Sequence, residues 1–138
     1  MGTMSGNNSG EDAPALLLDL APDHVPPLVE VRQWAARTLP PAGPDFVSDV
    51  QLVATELVSN AYEHAGGARR VRLGYDKDTG RLLVEVEDGS SDPPVRQEAG
   101  GFRGRGLALV DALAHAWGSR PRAGGGKTVW AVLMAGGR

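Results

Sequence analysis

The stretch ELVSNAYEHA, residues 56–65, decides how the rest of the chain is read. Extended back to Asp45, it places Val50, Ala54, Leu57, Val58, Ala61 and Ala65 on one side of a helix that turns by about 100° per residue. Asp45 or Ser48 is the expected cap of that helix, and Gly66 with Gly67 is its expected stop. Glu56 and Asn60 then fall one turn apart on the flank of the apolar stripe. A carboxylate can hold a water and accept its proton. An amide oxygen is a hard, neutral ligand of the kind that Mg²⁺ takes. The wall of a pocket would carry both groups, and so would a solvent-facing hydrogen-bonded pair at i, i+4; the segment alone does not separate the two. His64, one turn further on, either joins that wall or packs near the helix end.

Upstream, Pro26 to Leu39 predicts a helix whose first turn is set by prolines, with Leu28, Val31, Ala35 and Leu39 at helical spacing. The run PPAGP breaks it. ALLLDLAP, from Ala15, is a short apolar run ended by Pro22 and predicts an edge or first strand. Downstream, RRVRLGYD alternates with Val71, Leu73 and Tyr75 on one face. KDTG turns the chain, and RLLVEVED alternates again with Leu82, Val84 and Val86, which predicts a hairpin buried on one side. Residues 88–106 show no period, and a loop of that length inside a compact domain is uncommon and often functional. LALVDALAHAWG predicts a third helix with Leu107, Val110, Leu113 and Ala114 inward. A short strand near Trp117 to Arg120, the turn PRAGGG and the strand KTVWAVLM close the chain. This order predicts an α+β fold, a two-layer α/β sandwich with helices on one face of a mostly antiparallel sheet. Residues 1–14 are small, polar and aperiodic and read as a disordered head, leaving 15–138 as one domain.

Composition narrows the function. The formal net charge of −3 argues against non-specific nucleic-acid binding. The sequence has no cysteine, which excludes disulfides, thiolate metal sites and cysteine nucleophiles. No apolar run is long enough to span a bilayer and the N-terminus lacks a signal-peptide core, so no membrane association and a cytoplasmic location are expected.

Three further stretches bear on chemistry. Asp88 closes a strand and precedes Gly89; such a carboxylate can accept from the exocyclic amino group of adenine, and the glycine lets a flat ring approach, or the pair is a plain strand-ending turn. GGFRGRGLALV, residues 100–110, brings glycines and two arginines to the start of a helix, an arrangement that attracts phosphate or serves as a linker. PRAGGGKT imitates the end of a P-loop, but Pro121 stands where a glycine is required and a strand pattern follows instead of a helix. A hairpin turn is expected there, with Thr128 facing the core or a bound base.

The order of these stretches carries more than any one of them. A helix with Glu and Asn, a strand-end Asp-Gly and a glycine loop opening a helix resemble the GHKL (Bergerat-fold) ATPases. ELVSNAYEHA, VEDG and GRGLALV are similar to that family's N-box and first and second glycine boxes. The closing WG, at Trp117 and Gly118, followed by GGGKTVWAVL resembles the small bacterial branch of anti-sigma-factor serine/threonine kinases, and the likeness runs over roughly residues 15–134. The resemblance implies a Bergerat sandwich that binds ATP and Mg²⁺. It implies Glu56 as the catalytic residue that positions or activates the attacking group and Asn60 as the Mg²⁺ ligand. It implies Asp88 with Gly89 at adenine, Gly104, Arg105, Gly106 and Leu107 around the phosphates, and Thr128 near the adenine. It further implies a homodimer that restrains a sigma factor and phosphorylates a STAS-domain antagonist, or a partner-binding regulator of the same fold without turnover. The first glycine box departs from the family's D-x-G-x-G: Gly89 follows Asp88 directly, and prolines come soon after.

Overall fold

The computed structural model describes residues 15–20, 26–39, 43–90 and 105–135. Strand β1 (Ala15–Asp19) is followed by helices α1 (Leu28–Thr38) and α2 (Pro44–His64), then by the hairpin of β2 (Ala68–Asp76) and β3 (Arg81–Asp88). Helix α3 (Arg105–Leu113) and the hairpin of β4 (Ala116–Pro121) and β5 (Lys127–Met134) complete the order. The five strands form one sheet, β1-β2-β3-β5-β4, with each neighbouring pair antiparallel. The fold is therefore the α+β, two-layer sandwich that the sequence predicts. Residues 1–14 and the stretch 91–104 of the long loop lie outside the described residues.

Helix α2 is the spine of the molecule. Val50, Val53, Ala54, Leu57 and Val58 are essentially inaccessible to solvent. They belong to one core with Val71 and Leu73 of β2, Leu82, Val84 and Val86 of β3, and Val129, Ala131 and Leu133 of β5. Those strand residues are alternate positions, so each strand gives one face to the helix. Helix α1 lies beside α2, where Gln51 donates its Nε2 to the Arg32 carbonyl at 2.9 Å. Helix α3 contributes Leu107 and Val110 to the same core, both fully buried, with Leu113 and Ala114 packed at its border.

Two helix starts differ from expectation. Neither Asp45 nor Ser48 caps α2: Gly43, at φ 92°, occupies the cap position, and no side chain bonds there. Pro44 explains this. It opens the helix with φ already set and has no N–H to satisfy, so Asp45 sits within the first turn, where its charge suits the positive helix end. Helix α1 begins at Leu28, and Pro26 and Pro27 precede it.

The sheet face away from the helices is not bare. Glu85 of β3 is 4% exposed there. It lies between Arg72 of β2, 3.5 Å away, and Arg120 of β4, which donates a short hydrogen bond to it. The Trp130 ring covers Gly118, where a Cβ would meet the ring at 3.0 Å.

Candidate functional site

Helix α2 ends at His64, and Gly66 and Gly67, both at positive φ, hand the chain to Ala68 at the start of β2. Ala68 pairs with Asp88, the last residue of β3, and Asp88 pairs with Lys127, the first of β5. The C-terminal end of α2 and these three strand ends thus gather at one end of the sheet. At a rise of 1.5 Å per residue, Asn60 lies about 6 Å and Glu56 about 12 Å back along the helix from that end.

Asn60 is buried, at 7% exposure, and Glu56 is half-buried. Burial without full compensation pushes the Glu56 carboxyl above its ordinary value of 4.5, and the Glu63 carboxylate two turns along adds to the rise. A proton-accepting role suits a carboxylate tuned in this direction. Among the described residues, no three His, Cys, Asp or Glu side chains converge as a metal site. A Mg²⁺ held here by the Asn60 amide oxygen would draw most of its shell from phosphate and water.

Asp88 is 1% exposed. Its Oδ1 accepts from the Ser90 backbone N–H at 2.8 Å, closing a turn, and from Lys127 Nζ at 3.2 Å. Its Oδ2 lies 3.1 Å from the same ammonium but accepts no properly directed hydrogen bond. A buried acceptor left in this state is costly unless something donates to it. The amino group of a purine is such a donor. Beside it, the Arg69 guanidinium lies over Gly89: a Cβ there would come within 2.8 Å of Nη2. The residues present fit a nucleotide base.

The turn PRAGGG is a hairpin connection, as expected. Gly124, Gly125 and Gly126 all take positive φ, and Arg122 donates to the Gly126 carbonyl at 3.0 Å. Gly126 presses on the site: a Cβ there would lie 2.2 Å from the Asp88 carbonyl oxygen. Register bears on the two alternatives for Thr128, the core or a bound base. Residues directly opposite in a sheet share a face, so Lys127 shares Asp88's, while Thr128 stands opposite Glu87 and Arg120. Thr128 is buried but on the face away from the helices, so it is not core-facing. Lys127 and Gly126 are the residues that sequence reasoning missed. Alternation carried the signal for Lys127, since Val129, Ala131 and Leu133 fix odd-numbered positions as inward.

For the second glycine box, the structure gives the α3 backbone from Arg105 and the side chain of Leu107, which is fully buried in the core. Leu107 would act on phosphate only through its backbone. Gly104 and the side chain of Arg105 lie outside the described residues, and Gly106 is described only as helical backbone.

A family model of the histidine kinase-like ATPase domain matches residues 18–133. The chain belongs to this family. The match spans every described helix and all of β2, β3 and β4, from within β1 to within β5. It points to an ATP-binding regulatory function for this histidine kinase-like ATPase domain. No curated protein matches the chain. Among the described residues, no helix of the domain is long and apolar enough to cross a membrane.

Proposed function

We propose that the chain is an ATP-binding partner-switching regulator, an anti-sigma-factor-like kinase that phosphorylates a STAS-domain antagonist on serine or threonine. The observation that carries the ATP reading is Asp88: a buried carboxylate at the end of a central strand, with one oxygen accepting no hydrogen bond. When bound, Mg·ATP supplies the transferable phosphoryl group, whose transfer depends mainly on positioning and charge. The remaining work falls to side chains of this chain. Asp88 accepts from the base amino group, and Asn60 offers its amide oxygen to the divalent ion. Glu56 takes the proton of the attacking hydroxyl. The partner assignments, a sigma factor and its antagonist in a cytoplasmic homodimeric system, rest on the likeness of the closing GGGKTVWAVL to the anti-sigma-factor branch.

The test is incubation with labelled ATP, Mg²⁺ and STAS-domain candidates, with Asp88→Asn beside the parent. Transfer to a candidate, lost together with ATP binding in Asp88→Asn, is the expected result. ATP binding without transfer to any candidate counts against the kinase assignment. One observation favours a second reading, partner binding without nucleotide: Lys127 already neutralises Asp88. Calorimetry with ATP separates the two, since that reading requires partner affinity indifferent both to ATP and to Asp88→Asn.

A further inference from the structure

Lys127 is a buried cation with 5% exposure, set against a carboxylate that is itself almost inaccessible. A buried ion pair is a poor source of stability, because desolvation of both charges offsets their attraction. Apolar residues of similar volume would serve the core as well or better. The pair stands at the strand ends where the base site was located above, and its geometry suits that place. An ammonium has three N–H donors. Among the described residues, Lys127 donates a hydrogen bond to Asp88 Oδ1 alone, and Oδ2 beside it accepts none. The pair therefore offers an acceptor and donors side by side.

Purine edges differ in the order of these groups. Adenine presents an amino donor where guanine presents a carbonyl acceptor with a ring N–H donor on one side of it. A buried carboxylate by itself selects adenine: it accepts from the amino group and repels a carbonyl oxygen placed against it. An ammonium next to the carboxylate removes that rejection, since it donates to the carbonyl while the carboxylate accepts from the neighbouring ring N–H. On the reading of this site as a nucleotide site, we infer that Lys127 makes the base site tolerant of both amino- and oxo-purines. GTP is then a ligand of this chain as well as ATP, and Lys127 is the residue that sets this selectivity.

The experiment is direct binding of ATP and of GTP to the full chain by calorimetry, with Mg²⁺ present. GTP affinity within about tenfold of ATP affinity is expected, because one well-placed base contact is worth roughly this much. Lys127→Met should lower the ratio of GTP to ATP affinity by about tenfold or more. Lys127→Gln, which keeps one neutral donor, should lower it less. Thermal melts establish that both variants are folded, and the comparison on the unsubstituted chain needs neither. GTP binding weaker than ATP by more than about tenfold in the parent, or a ratio unchanged in a folded Lys127→Met, overturns the role of Lys127. If ATP binds and GTP does not, that role alone falls. If neither binds, the nucleotide reading falls and takes the inference with it.

Discussion

At the scale of single residues, Gly126 shows how closely the proposed base site is joined to the backbone around it. It holds φ +85°, and an added methyl would collide with the Asp88 carbonyl at 2.2 Å. The left-handed conformation costs a side chain about 1–2 kcal/mol, and overpacking adds about 1–3 kcal/mol. Gly126→Ala is therefore expected to destabilise the fold by about 3 kcal/mol in urea titration and to weaken ATP binding. The same region shows where the sequence could be read and where it could not. Asp88, Asn60 and Glu56 stood out as candidates through their order along the chain, since each taken alone also had a plain structural reading. Lys127 was not. A lysine after three glycines looks like the solvated start of a strand, and only the parity of the apolar residues behind it turns it inward. Gly126 was hidden for another reason: its constraint comes from a chain segment nearly forty residues away, across a strand pairing that sequence does not display.

At the scale of elements, α2 serves the core with one flank and the site with another, and Glu56 feels both. Its raised pKa means that the folded state holds this proton more tightly than the unfolded chain does. The group thus favours folding at low pH, and that contribution is lost as pH rises above 4.5 through the folded value. Glu56→Gln removes the dependence, so the variant should gain stability relative to the parent between pH 4.5 and neutrality in paired urea titrations. The proposed phosphoryl transfer, with Glu56 as its base, should show its acid limb above the ordinary 4.5. On the opposite face, Glu85 supports an asymmetric prediction. Removing both Arg72 and Arg120 leaves a buried carboxylate unpaired and should cost about 3 kcal/mol. Glu85→Leu leaves two half-exposed arginines free to reach water and should stay within about 1 kcal/mol of the parent. Element types and their order were legible because the helical and alternating periods are strong, though residues 116–118, read as the end of the third helix, open β4. The start of α2 was not, because a proline at the first position makes a capping side chain unnecessary.

At the scale of the whole molecule, a ligand that binds only the folded state stabilises it by mass action. ATP at a hundred times its dissociation constant should add about 2.7 kcal/mol, which raises the melting temperature by roughly 5–10 °C. Asn60→Ala should retain the ATP shift while losing the increment that Mg²⁺ adds. The strand order holds a last consequence. β5, residues 127–134, sits between β3 and β4, so the middle of the sheet is closed by its latest-made strand. On a ribosome, β3 waits with one edge unsatisfied and β4 with no neighbour until residue 134 has emerged. Chaperone occupancy of the nascent chain should therefore persist until then, and an early stop codon at position 127 would abolish folding instead of trimming an edge.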